Sequence, residues 1–127
     1  MVIDTSAWVR QRDAGVVGRW KATLAAGLVA VCPVAALEIL AGARDEDGFA
    51  TLDRALAALP QAPVTASVCA AALGTSRELR GSRRLPAADF LIAAAAAERG
   101  FGLLHLDGHY DTLASVLAFT SVRLDRD

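Results

Sequence analysis

The seven residues from His105 to Asp111, HLDGHYD, hold both histidines of the chain and two of its aspartates. Histidines spaced H-x-x-x-H share one face of a helix and can ligate zinc when a glutamate follows the first of them as general base. Leu106 stands where that glutamate would be. Asp107-Gly108 is a strong turn signal, which sets His105 and His109 on opposite sides of a chain reversal. The zinc reading weakens, the histidines become secondary (His105 on a strand, His109 just past the turn), and the aspartates hold the interest.

Taken one at a time, the acids have plain structural explanations. Asp4 ends the apolar run VID and can N-cap the helix that DTS begins. Asp107 ends LLHLD and can be a turn residue. Asp89 lies three residues after Pro86, where a first-turn carboxylate complements the helix dipole, and Asp111 can do the same in HYDTLA. Glu38 is harder to explain. It is the charged residue of the apolar helix PVAALEILAGA, which is expected to be buried over much of its surface, and a lone buried carboxylate is costly. One shared cation accounts for Asp4, Glu38, Asp89 and Asp107 together, with Asp111 a turn away. Carboxylates about 5 Å apart repel by roughly 3 kcal/mol per ionised pair at an effective dielectric near 20, so such a cluster needs a proton or a counterion. Oxygen ligands favour Mg²⁺ or Mn²⁺ over zinc, and a carboxylate-held ion that activates water suits phosphodiester hydrolysis.

Short apolar runs alternate with helical stretches along the chain: MVID, LVAVC, APVT, FGLLHL and FTSVRL read as strands, with amphipathic or alanine-rich helices between them. Gly27, Pro33, Pro60, Pro86 and Gly100 punctuate the pattern. This predicts a three-layer α/β/α sandwich with a mainly parallel central sheet, whose ligands bind beyond the carboxyl ends of the strands. At 127 residues the chain is expected to be a single domain, 1–127. Hydrophobic residues make up 54% of it and aromatics only 6%, so the core must be built from Ala, Leu and Val, with an alanine-rich helical layer. Cys32 and Cys69 both stand in apolar runs and are expected to be buried free thiols. The N-terminus lacks a positive leader region and no apolar run is long enough to cross a bilayer, which fits a cytoplasmic protein. The net charge of −1 neither suggests nor excludes a nucleic-acid partner, so any such binding needs a local patch.

VIDTSAW at the start, Glu38 within VCPVAALEILAGA, Asp89 within RRLPAADFLIAAAA, and Asp107 and Asp111 within LLHLDGHYDTLA are in the order and spacing of a PIN domain. The chain resembles, more narrowly, the VapC toxins of bacterial toxin-antitoxin pairs, over nearly its whole length. The resemblance implies a divalent-metal-dependent ribonuclease with the acidic quartet Asp4, Glu38, Asp89 and Asp107. Asp4 and Asp89 would ligate Mg²⁺, with Mn²⁺ as its substitute, and Asp107 would complete the site or bind a second ion. Glu38 would hold or help to activate a water. Asp111 matches a further family acid, and Ser6 matches a hydroxyl that bonds a ligand carboxylate or the substrate phosphate, or else simply caps a helix. Water would attack phosphorus and leave a 5′-phosphate and a 3′-hydroxyl. The resemblance also implies a cognate VapB-like antitoxin and a homodimer.

Arg77, Arg80, Arg83 and Arg84 precede Asp89 and could grip the phosphates of an RNA strand. Alternatively, Arg77 and Arg80 complement the end of a helix closed by Gly81, and Arg83 and Arg84 form a solvated loop. Trp8 and Trp20 lie outside this basic segment and are assigned to the core or a dimer interface. Two other classes compete with the nuclease. One is a PIN-fold binding module whose acidic cleft holds a cation or a basic segment without useful catalysis. The other is a small phosphatase, which would want a lysine near its nucleophile, whereas the only lysine, Lys21, lies in an early helix.

Overall fold

The strand β1 (Val2–Ile3) is fully buried, and Asp4 follows it at once. In the computed structural model, which describes residues 1–80 and 84–125, Asp4 caps α1 (Thr5–Val9) by accepting the Ser6 N–H at 3.0 Å. That bond satisfies one of the amide donors left open at a helix start. The next helix, α2 (Val17–Ala25), is closed by Gly27 at φ +70°, a left-handed turn that glycine takes without a Cβ clash, and the chain enters β2 (Ala30–Val31). Pro33 opens α3 (Pro33–Ala41), where its missing N–H costs no bond. Asp45 caps α4 (Glu46–Ala57), and Thr65 caps α5 (Ala66–Leu79). Then come α6 (Ala87–Glu98), which ends at Gly100 with φ +67°, β3 (Leu103–His105), α7 (His109–Ala114) and β4 (Ser121–Arg123).

The sheet has the order β2-β1-β3-β4 and every pairing is parallel, with Val2 and Ile3 opposite Leu103 and Leu104. The chain leaves β1 toward one edge and leaves β3 toward the other. The topological switch point therefore lies between these two central strands, where a crevice opens beyond their carboxyl ends. Asp4 and Asp107 follow β1 and β3 and arrive at that crevice. The helices flank the sheet, as the alternation of the sequence requires. Helix α6 lies deepest: Ile92, Ala93, Ala94, Ala95 and Ala96 are all buried, and small side chains let α5 approach it closely. Trp20 is core, and its ring meets half-buried Trp8 edge-on at 5.9 Å.

Three expectations are corrected. The APVT segment is not a strand. Only Gln61 bridges Val31, because Pro63 has no N–H to give a ladder and Thr65 is already committed to capping α5. Cys69 is exposed while Cys32 is buried. The buried stripe of α5 runs through Val68, Ala72 and Thr75, and Cys69 falls on the next stripe, facing out. Finally, α3 buries only Ala35 and Ile39, leaving Leu37 69% exposed and Glu38 exposed, so Glu38 is not a carboxylate stranded in the core.

Candidate active site

Asp4 is 5% exposed and each of its oxygens is engaged. Oδ2 accepts the Ser6 N–H and the Ser6 hydroxyl, and Oδ1 accepts the Tyr110 hydroxyl. Ser6 Oγ also accepts the Leu106 N–H at 3.0 Å, so one side chain stitches the end of β1 to the end of β3 and fixes both approaches to the crevice. Ser6 thus caps the structure and supports the Asp4 carboxylate at once.

Asp89 reaches the same place from the first turn of α6, only 8% exposed. Its Oδ1 lies 3.2 Å from the Tyr110 hydroxyl and its Oδ2 lies 2.9 Å from His109 Nδ1. Burial pushes its carboxyl above the ordinary range, reinforced by the negative charges of Asp4 and Asp107 and opposed by the bonds from His109 and Tyr110. Burial, and then the charges of Asp4 and Asp89, push the Tyr110 phenol far above its usual value, so it stays protonated as a standing donor between two acids.

Asp107 is half-buried beyond β3. Its backbone N–H donates to His105 Nδ1 at 3.0 Å, while its own Oδ1 accepts the His109 N–H at 3.0 Å. Because Nδ1 of His105 accepts, Nε2 carries the proton and donates to Ser121 Oγ at 2.6 Å, and Ser121 donates on to Asp111 Oδ1 at 2.7 Å. His105 is fully buried, and burial lowers its pKa, so it is held neutral as a brace under Asp107. The zinc reading of the two histidines ends here, since both ring nitrogens of His105 are committed elsewhere. Asp111 is exposed and turned toward Ser121, joining the site only through that relay.

Asp89, Asp107 and His109 form a group whose ligand atoms all lie within 4.8 Å of one another. Two carboxylates and an imidazole, at the rim of a crevice into which Asp4 is tied by Tyr110, are a donor set that fits a divalent cation. Glu38 stands at the edge, where its Oε1 accepts the Thr5 hydroxyl at 2.9 Å, tethering it to the neighbour of Asp4. Arg77 and Arg80 are exposed at the end of α5 and Arg84 is exposed beyond it, while Arg83 lies outside the described residues. Helix α5 leaves the α conformation at Arg80, φ +52°, one residue before Gly81, which also lies outside the described residues.

Sequence reasoning passed over Tyr110 and Thr5, and set His109 aside as secondary once the zinc reading weakened. The single tyrosine, placed directly beside His109 in HLDGHYD, was the available signal for Tyr110 and His109 alike.

Residues 1–116 match the family model of the PIN domain. Ribonuclease VapC18 of Mycobacterium tuberculosis is 34% identical over 119 residues, covering 90% of this chain and 87% of that protein. Ribonuclease VapC11 of the same species is 35% identical over 124 residues, covering 91% and 92%. Among solved structures, VapBC2 from Rickettsia felis bound to a DNA fragment from its promoter gives a TM-score of 0.77 at 15% identity, covering 96% of each chain. DNA-bound VapBC from Salmonella typhimurium gives 0.73 at 14%, covering 97% of this chain and 96% of that one. At such identities these structures attest a common fold. No helix among the described residues is long and apolar enough to cross a membrane.

Proposed function

Since the chain belongs to the PIN-domain family and, within it, to the VapC ribonucleases, we propose that residues 1–127 form one unit acting as a divalent-metal-dependent endoribonuclease, the toxin of a toxin-antitoxin pair. The observation that carries this reading is the linked carboxylate cluster at the switch point: Asp4 to Asp89 through Tyr110, and Asp89 to Asp107 through His109. Asp4, Asp89 and Asp107 would hold the cation, Mg²⁺ or in its place Mn²⁺. When bound, such a cation supplies a Lewis acid for the phosphate and lowers the pKa of the attacking water.

The chain's own residues do the rest. Ser6 and Tyr110 hold Asp4 in one orientation, and His105 braces the backbone of Asp107, so the carboxylates need little reorganisation when substrate arrives. Thr5 occupies one oxygen of Glu38, which leaves the other to take a proton from water at the mouth of the crevice. Arg77, Arg80 and Arg84, with Arg83 of the same segment, would grip the RNA backbone. Water would displace the 3′-oxygen and leave a 5′-phosphate. A cognate VapB-like antitoxin would cover the acidic cleft, the active species would be a homodimer, and the site of action would be the cytoplasm.

The test is cleavage of structured RNA with Mg²⁺, repeated with EDTA and with Asp4→Asn and Asp89→Asn. Loss of cleavage in all three, with 5′-phosphate ends on the products of the wild type, is expected. Cleavage that survives chelator and both substitutions would sink the metal-nuclease reading. A wild type that binds the cation and cuts no RNA would favour the binding module instead.

A further inference from the structure

We infer that His109 is a nitrogen ligand of this cation site and that it tilts the site's selection from Mg²⁺ toward first-row transition-metal dications, Mn²⁺ among them. The inference rests on the metal-site reading above and adds a residue and a preference to it. His109 Nδ1 lies 2.9 Å from Asp89 Oδ2 and 3.2 Å from Asp107 Oδ1. Neighbouring donors around an octahedral ion with bonds of about 2.1 Å stand about 3.0 Å apart, which is how His109 Nδ1 stands to each carboxylate, and all three atoms lie within 4.8 Å of one another. The spacing is not left to a free side chain. The His109 N–H is bonded to the Asp107 carboxylate at 3.0 Å, an Asx-type turn across Gly108 that locks the two residues together. Asp89 comes to this pair from a different element, the buried start of α6. The His109 side chain is 40% exposed, so the set opens to solvent on the side from which an ion must enter.

The chemistry of the donor set then decides the ion. Mg²⁺ takes oxygen donors almost exclusively and parts reluctantly with its water, whereas an imidazole nitrogen gains affinity as the ion moves along the first transition row. Without an ion, Nδ1 of His109 carries the proton that bonds Asp89; when an ion takes its place the proton sits on Nε2, and the Nδ1 lone pair faces the same point as the two carboxylates. Leu106 and Gly108, the other neighbours of Asp107 in the turn, bring no side-chain donor, so the nitrogen is the feature that separates this site from an all-oxygen one.

The experiment uses the full chain with Mn²⁺ and Mg²⁺ alone. Titration calorimetry gives both dissociation constants, and electron spin-echo spectroscopy of the Mn²⁺-loaded protein reports ¹⁴N bonded to the ion. The wild type should show the nitrogen coupling. His109→Asn, which keeps an N–H donor for Asp89 but no ring lone pair, should lose it, and its Mn²⁺-over-Mg²⁺ preference should fall about tenfold. A wild type without nitrogen coupling, or a His109→Asn protein with coupling and preference unchanged, overturns the inference. Asp89→Asn separates the two levels: weaker Mn²⁺ binding there with no effect at His109 leaves the metal site standing and removes only this assignment, whereas Mn²⁺ binding indifferent to Asp89→Asn removes both.

Discussion

At the scale of single residues, Tyr110 has the clearest measurable role. Its hydroxyl donates to buried Asp4 and lies within reach of buried Asp89, while its ring packs against His105 at 5.1 Å between centroids. Tyr110→Phe keeps the ring and removes only the donor. A hydrogen bond to a charged, buried partner contributes about 1.5–3 kcal/mol, and a urea titration in EDTA should show a loss of that size with the m-value unchanged. A loss below the scatter of the titration would mean that solvent replaces the hydroxyl. The two thiols give a second residue-level test. Cys69 is exposed and Cys32 buried, so a thiol reagent at neutral pH should label one cysteine quickly and the other only on unfolding. Burial raises the Cys32 pKa above its ordinary 9.0, so the folded chain holds that proton more firmly than the unfolded chain does. Its contribution to stability is therefore whole below pH 9.0 and is lost as pH rises through the folded value, the same range in which Cys32 labelling should begin to accelerate.

At the scale of elements, α6 does the positioning, since it is the helix that carries Asp89 into the crevice. Ala93 through Ala96 are buried on every side of it. Ala95→Leu forces extra volume into a closed space and should cost about 1–3 kcal/mol, read as a lower thermal midpoint, with the metal affinity reduced because Asp89 shifts with its helix. Helix α5 offers the opposite change. Arg80 sits at φ +52°, a left-handed conformation that costs a side-chain-bearing residue about 1 kcal/mol, and Arg80→Gly should recover most of that in the same melt. If Arg80 also grips RNA, the same variant becomes more stable while binding RNA less tightly. These elements were legible where local chemistry fixes them: Gly27 and Gly100 end helices, Pro33 begins one, and the carboxylates Asp4 and Asp107 mark the ends of the two central strands. APVT misled because four residues carry no more than an apolar pattern, and Pro63 and Thr65 outweigh it. Glu38 was singled out as a carboxylate stranded in a buried helix, whereas its helix is open to solvent and Thr5 is what holds it. Tyr110 was not legible and His109 was set aside, because each finds its partner far along the chain, 106 and 20 positions away. The docking of α7 against α6 brings His109 to Asp89, the pairing of β1 with β3 brings Asp4 beside Tyr110, and no local pattern records either.

At the scale of the whole molecule, a parallel sheet that switches direction between β1 and β3 gathers acids from opposite ends of the chain, and the fold holds them together against their mutual repulsion. Metal-free stability is therefore below what the core alone would give, and a cation that binds only the folded site should return more than it removes. At a hundredfold excess over Kd the gain is about 2.7 kcal/mol, or roughly 10 °C in the melting midpoint for a chain of this size. Asp107→Asn tests the two halves of this statement together. Asparagine keeps an oxygen for the His109 N–H, so the turn at Gly108 survives, but the charge beside Asp89 is gone. Without metal the variant should melt a few degrees above the wild type, and with Mn²⁺ it should gain much less. The curves should cross, with the wild type the more stable protein only when the ion is present. A variant that is less stable in EDTA and still gains the full increment from Mn²⁺ would show that the carboxylates neither strain the fold nor share the ion. Crossed curves would instead show that Asp107, which weakens the empty fold beside Asp89, is an acid that stabilises the loaded one.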